Sequence, residues 1–384
     1  MDKPEIFMAP GPTPVSPEVL AAQSAPLVYH RGPGYGKLLR EVTEGVKRLF
    51  RTENDVLIFA SSGTGGLESA VANLFSPGDR IVVVVAGYFG ERFAKIAQAY
   101  GLDVRTVEYE WGKAAKPEDV RVALGEAPAK AVLVQQSETS TAVIHPVDEI
   151  GEVCREAGVL LVVDCVSSVG AVPFEGDAWG VDVAVGGSQK ALSATPGLAF
   201  VSVSEKAWEA SKTATNPRFY FDWAEYKKSY ELPDPENPWT PAISLMQGLR
   251  EALRLYFDEG PDEVLKRHRL LAAAVKEGVR ALGLDLFGES PEKAWAVTAV
   301  RAPEGIDGNE LVARVRADHG IILAPGQGPL KGNVFRIGHL GYYDRLDILR
   351  GLAAIEMTLD SMGYPVKRGS AVAAAEEVFA ASAS

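Results

Sequence analysis

A chain of 384 residues is too long for one compact core and suits a larger and a smaller domain, because single cores stop growing near ~250 to 300 residues. Hydrophobic residues make up 47% and charged residues 23%, an ordinary balance that excludes a disordered or fibrous chain. With 39 Lys and Arg against 51 Asp and Glu, the net charge is -12 and no basic run stands out, which argues against nucleic acid as a partner. No apolar run reaches the ~18 residues of a membrane span, and residues 1–12 lack the basic start and apolar run of a signal peptide, so the expected compartment is the cytoplasm. The two cysteines, Cys154 and Cys165, have no metal-site spacing and are expected as reduced thiols.

In chain order, an N-terminal arm is expected over 1–18. From 55 onward short β-rich runs alternate with helical stretches: strands at 55–60, 80–85, 131–134 and 159–164, with helices at 63–75, 91–100 and 147–157 between them. Further strands are expected at 181–185 and 198–203. The alternation implies parallel strands with helical crossovers, an α/β fold with both faces of the sheet covered. The stretch 215–241 carries five prolines and several aromatics and reads as a long irregular excursion. Two long helices follow at 243–257 and 262–282, then a strand at 296–301, a helix at 308–319, strands at 321–324 and 334–337, and a helix at 343–362. These elements suggest a large domain over 19–255 and a small one over 256–366. The Ala-rich end, within 367–384, reads as a flexible tail.

Three motifs carry chemistry. Strand 181–185 runs into Gly186-Gly187-Ser188-Gln189-Lys190, delivering a lone lysine into a turn of small residues. With no local carboxylate, burial would lower its pKa and free the amine for Schiff-base chemistry; the alternative is a solvated surface lysine. Upstream, VLLVVD places Asp164 after five apolar residues, at the carboxyl end of a central strand where α/β sheets bind ligands. A carboxylate there needs a positive partner such as a protonated pyridine nitrogen, unless it is a helix N-cap. The third motif, ASSGTGGLESA at 60–70, is a Gly-rich turn between strand and helix. The amides of Ser62, Gly63 and Thr64 there would face a phosphate. Its GxGxxE spacing and the lack of a following lysine do not match a dinucleotide fingerprint or a P-loop.

Taken in order and spacing, SGTGGLESA, QSETSTAV, VVDCVSSVGA, GGSQKALSATPG and FRIGHLG resemble the class V, fold type I aminotransferases that use pyridoxal 5'-phosphate (PLP). Within that class they are most similar to the alanine:glyoxylate and serine:glyoxylate (serine:pyruvate) enzymes, including a bacterial branch once labelled a soluble hydrogenase subunit. The resemblance spans residues 9–364. It implies a large domain with a mostly parallel seven-stranded sheet flanked by helices, and a smaller C-terminal α+β domain. It also implies that Lys190 forms the Schiff base with PLP and shuttles the substrate proton, that Asp164 holds the pyridine nitrogen, and that Val166 and Phe89 cover the two ring faces. Ser62, Gly63, Thr64 and Gln189 would line the phosphate, joined by Thr240 of a second subunit in a homodimer with interfacial sites. Ser140 would lie near the 3'-oxygen, and Arg336 would hold the substrate α-carboxylate with paired hydrogen bonds.

Some positions depart from the family pattern: HRGPGY at 30–35, Gln136 where a histidine is common, and Ala142 in place of a glycine. They bear on the substrate, not the cofactor. The expected reaction moves an amino group from a small L-amino acid, alanine or serine, to glyoxylate or pyruvate. The alternatives are a lyase or desulfurase-like enzyme on the same fold, or a non-catalytic subunit of a redox complex. A desulfurase would need a cysteine beyond the lysine, and a redox cluster would need several.

Overall fold

The computed structural model describes residues 5–382. It opens with β1 (Ile6–Phe7), α1 (Pro17–Gln23) and α2 (Pro33–Phe50). Neither helix is among the elements expected from the sequence, although α2 is amphipathic, burying Leu38, Leu39, Val42, Val46 and Leu49, and both carry start signals. Ser16 caps α1, its hydroxyl accepting from Val19 N, and Pro33 sits in the first turn of α2, where its missing N–H costs nothing.

The alternating segment holds β2 (Asp55–Phe59), α3 (Gly63–Leu74), β3 (Arg80–Val85), α4 (Tyr88–Ala99), β4 (Asp103–Glu108), α5 (Pro117–Glu126) and β5 (Ala131–Gln135). It continues through the short hairpin β6 (Ser137–Glu138) and β7 (Val143–Ile144) to α6 (Val147–Ala157), β8 (Leu160–Asp164), β9 (Val183–Gly187) and β10 (Ala199–Val203). Seven of these strands form one sheet in the order β2-β10-β9-β8-β5-β3-β4. Only β10 runs against its neighbours, pairing antiparallel with both β2 and β9. The sheet is therefore mixed. Strand β4 escapes sequence reading because it is a polar edge, with one buried residue, Val107.

Side chains alternate between two cores, as a pleated strand requires. Val56 and Ile58 of β2 join the layer containing Val42, Ile150 and Leu249; Leu57 and Phe59 join the layer containing Val71 and Phe93. Both faces are thus apolar, which is why the central strands read as continuous hydrophobic runs.

After β10 come α7 (Glu205–Ser211) and α8 (Trp223–Tyr230). The second corrects the expectation of an irregular excursion over 215–241. Its prolines flank the helix without entering it, Asp222 caps it through Ala224 N, and wholly buried Trp223 donates to Ser69 Oγ at 3.3 Å. Next are α9 (Ile243–Glu259), α10 (Pro261–Ala281), β11 (Val297–Arg301), α11 (Gly308–His319), β12 (Ile321–Ile322), β13 (Ala324–Pro325), β14 (Val334–Gly338), α12 (Arg345–Ser361) and α13 (Ser370–Ala381).

Strands β11, β14 and β13 form an antiparallel sheet over a separate core that includes Leu271, Val275, Phe335 and Ile355. The flexible tail expected over 367–384 is corrected as well. Residues 370–381 are helical and bury Ala371, Ala375 and Phe379 in that core, a four-residue spacing that aligns one helix face. β1 pairs with β12, Ile6 opposite Ile321, so the start of the chain joins a segment near its end.

Candidate active site

Segments from both sheets, the N-terminal arm and two helix starts converge at the carboxyl edge of the large sheet. Asp164 ends β8, in register with Gln135 at the end of β5 and Val185 in β9. It is 7% exposed, and its Oδ1 accepts from Val166 N at 3.0 Å. Burial pushes its carboxyl up to about 6, against the pull of that N–H; Glu138 adds to the rise, while Lys190 and Arg92 oppose it.

Lys190 follows β9 by three residues. Its Nζ donates to the Pro10 carbonyl of the N-terminal arm, and the arm is tied down by Thr13 Oγ1 donating to Lys190 O at 2.9 Å. Gly11 has φ +125°, and a Cβ there would lie 2.4 Å from Lys190 Nζ. Only glycine leaves the amine its place. Burial pulls the amine down to about 8, while Asp164 pulls it the other way. The lysine is therefore poised to be nucleophilic near neutral pH.

Arg336, on β14, reaches the same region from the second sheet and is 5% exposed. Its Nε and Nη2 donate to Pro325 O at 3.3 and 3.0 Å, and its Nη1 donates to Thr139 O at 3.1 Å. Two of the guanidinium's five N–H groups remain, one on each terminal nitrogen. No carboxylate lies within ion-pair distance among the described residues. Burial pulls its pKa down to about 10, with Glu138 opposing. A buried cation with two spare donors has the chemistry to receive a carboxylate.

Glu138, fully buried at the end of β6, is the residue that sequence reading passed over. Its carboxylate accepts from Phe89 N and Gly90 N at 3.1 Å, from Gln135 Nε2 at 3.0 Å and from Ser140 Oγ at 2.5 Å. Ser140 Oγ in turn accepts from Tyr88 N at 3.1 Å. Together they satisfy the first amides of α4, whose own N-cap, Gly87, has no side chain to do so. Ser140 is thereby occupied in holding α4, and Phe89 is set by its backbone at the head of that helix. The ETST segment signals only a turn, so nothing local in it predicts a partner 48 residues away.

Ser62 is the N-cap residue of α3, and the amides of Gly63 and Thr64 open that helix without an acceptor among the described residues. A Cβ on Gly63 would come within 2.5 Å of Val166 Cγ2, so the helix start and Val166 meet only because position 63 is bare. Gln189 Oε1 is buried with no donor. Thr240 is exposed on the segment before α9 and forms no hydrogen bond to another described residue. Within one chain the structure gathers Lys190, Asp164, Val166, Phe89, Gly63 and Arg336 around this edge; Thr240 is not brought into it.

A mixed sheet with a lysine after one strand, a carboxylate at the end of its neighbour and a helix N-terminus alongside defines a fold type I PLP enzyme. Residues 18–331 match the aminotransferase class-V family model, and the chain belongs to that family. It is 39% identical to the serine–glyoxylate aminotransferase of Arabidopsis thaliana, over 96% of this chain and 94% of that one. It is 40% identical to a Synechococcus protein called the small subunit of a soluble hydrogenase, over 98% and 99% of the two lengths. Among solved structures, the ureidoglycine–glyoxylate aminotransferase of Bacillus subtilis superposes with a TM-score of 0.95 at 33% identity, covering 99% of each chain.

PLP is the cofactor of this family, and the residues present fit it. Free amides at Gly63 and Thr64 suit a phosphate, Asp164 suits a protonated ring nitrogen, and the Lys190 amine suits an aldehyde. No helix of the described residues is long and apolar enough to cross a membrane.

Proposed function

We propose that this aminotransferase moves the amino group of a small L-amino acid, alanine or serine, to a small oxo acid, glyoxylate or pyruvate, with Lys190 as the amine linked to the cofactor. The observation that carries the reading is Arg336, a buried cation with two N–H groups left over for an α-carboxylate. The glyoxylate enzymes among its relatives support the choice of acceptor.

When bound, PLP supplies an electron sink for the negative charge that develops at the substrate's α-carbon. Asp164 keeps a proton on the ring nitrogen, its carboxylate stabilised by the positive charge it faces. Arg336 fixes the substrate carboxylate and so orients the α-hydrogen toward Lys190 Nζ. Lys190 Nζ would be the base that takes that proton and the acid that holds it for return. Val166 and Phe89 exclude water from the two sides, with Phe89 held in place through Glu138. Gly63, Thr64, Ser62 and Gln189 hold the phosphate end.

Titration of the purified holoenzyme with L-serine and L-alanine is expected to bleach the cofactor band near ~410 to 420 nm, and glyoxylate is expected to restore it with release of glycine. Ammonia or sulfide released with serine or cysteine, and no glycine, would instead favour the lyase or desulfurase reading. Against a desulfurase, both Cys154 and Cys165 are buried and precede Lys190.

The proposal includes a homodimer in which Thr240 reaches the partner's phosphate site. Exposed Leu27, Tyr29 and Phe219, 67 to 75% open to solvent, supply apolar surface for such an interface. Light scattering is expected to give twice the chain mass for active enzyme. A fully active monomer would remove Thr240 from the site.

A further inference from the structure

The cofactor's phosphate is a dianion, yet the glycine-rich turn that faces it brings no lysine or arginine of its own. Backbone amides at a helix start supply roughly half a unit charge. A full cation nearby would complete the cradle, and one lies on the next helix.

Arg92 stands three residues after Phe89 and four after Tyr88 on α4, the spacing that stacks side chains on one helix face. Its guanidinium carbon lies 4.8 Å from the Phe89 ring centre and 5.2 Å from that of Tyr88. Its Nη1 donates to Thr64 Oγ1 at 3.2 Å, bridging from α4 to the first turn of α3. Among the described residues it makes no ion pair, although Glu91 beside it pairs with Lys95. Its charge is felt at the centre of the site, lowering both Asp164 and Lys190. The Thr64 hydroxyl, accepting from Arg92, keeps its own proton free to donate.

We propose that Arg92 is the cation of the phosphate cradle, acting on the anionic end of PLP directly and through the Thr64 hydroxyl. The inference rests on the reading of this edge as the PLP site. Its aromatic neighbours have a part as well: the two rings hold the guanidinium over the turn by cation–π contact, so the charge is preorganised without a carboxylate that would cancel it.

PLP and pyridoxal, which lacks the phosphate, separate the possibilities. Binding of each to the cofactor-free protein is followed by tryptophan fluorescence for wild type, Arg92→Gln and Arg92→Lys. Arg92→Gln is expected to weaken PLP about 10- to 100-fold, the worth of a hydrogen bond to a charged group, while pyridoxal binding changes little. Arg92→Lys is expected to recover part of the loss. Inorganic phosphate should compete with PLP on wild type and lose that competition on Arg92→Gln. Equal weakening of PLP and pyridoxal would overturn the proposal, leaving Arg92 as a support for Phe89, and so would unchanged binding of both. A wild-type protein that binds neither compound would overturn the PLP site itself.

Discussion

Replacing Lys190 with alanine is expected to abolish the ~410 to 420 nm band of the reconstituted protein and to lower kcat by at least about a thousandfold. Two losses combine. The covalent link disappears, and with it the group that moves the substrate proton, a contribution worth roughly 10² to 10⁴ on its own. PLP should still bind, because its phosphate and ring contacts remain, so the variant is expected to bring down PLP absorbing as the free aldehyde. Retention of the band would reassign the link to another amine. The same geometry gives a milder variant: Gly11→Ala puts a methyl group where the Lys190 amine sits and asks alanine to hold φ +125°. The Pro10 carbonyl and the bare Gly11 together fix where that amine points.

Arg336→Ala is expected to raise KM and to lower kcat/KM by roughly 100-fold, the cost of two hydrogen bonds to a charged carboxylate, while the cofactor band persists. Stopped-flow titration with the amino donor reads this directly. Arg336→Lys should recover little, since an ammonium cannot supply two parallel donors. Part of the effect is mechanical, because Arg336 also ties the carbonyls of Pro325 and Thr139 across the cleft between the two sheets. An unchanged KM with either variant would show that the substrate carboxylate lies elsewhere.

The centre of the large sheet was legible because its chemistry sits where a buried strand ends. Lys190, Asp164 and Gly63 each follow an apolar run, and a break from hydrophobic to reactive is visible in one dimension. Glu138 was not, because its partners are amides on a different helix and its own surroundings look like any polar turn. For the same reason the bonds that the Ser140 hydroxyl makes to Glu138 and Tyr88 N are invisible in the sequence. HRGPGY, a departure from the family pattern, supplies the start of α2, with Gly32 as its N-cap residue and Pro33 in its first turn. The C-terminal helix is hidden by its composition. Its alanines let it lie close against α10 and α12, and the spacing of Ala371, Ala375 and Phe379 carried a signal that the alanine count concealed.

The arm that seats Lys190 is also an order of events on the ribosome. Residues 6–13 are made long before their partners, and β1 has no strand to pair with until Ile321 and Ile322 have been made. Met8 O likewise waits for Gly338 N, 2.6 Å away in the finished protein. At ~5 to 20 residues per second, synthesis leaves β1 unpaired for tens of seconds. The Pro10 carbonyl that aims the amine gains its Thr13 tether once Lys190 has been made, but the anchors of Ile6 to Met8 come only with residues 321–338.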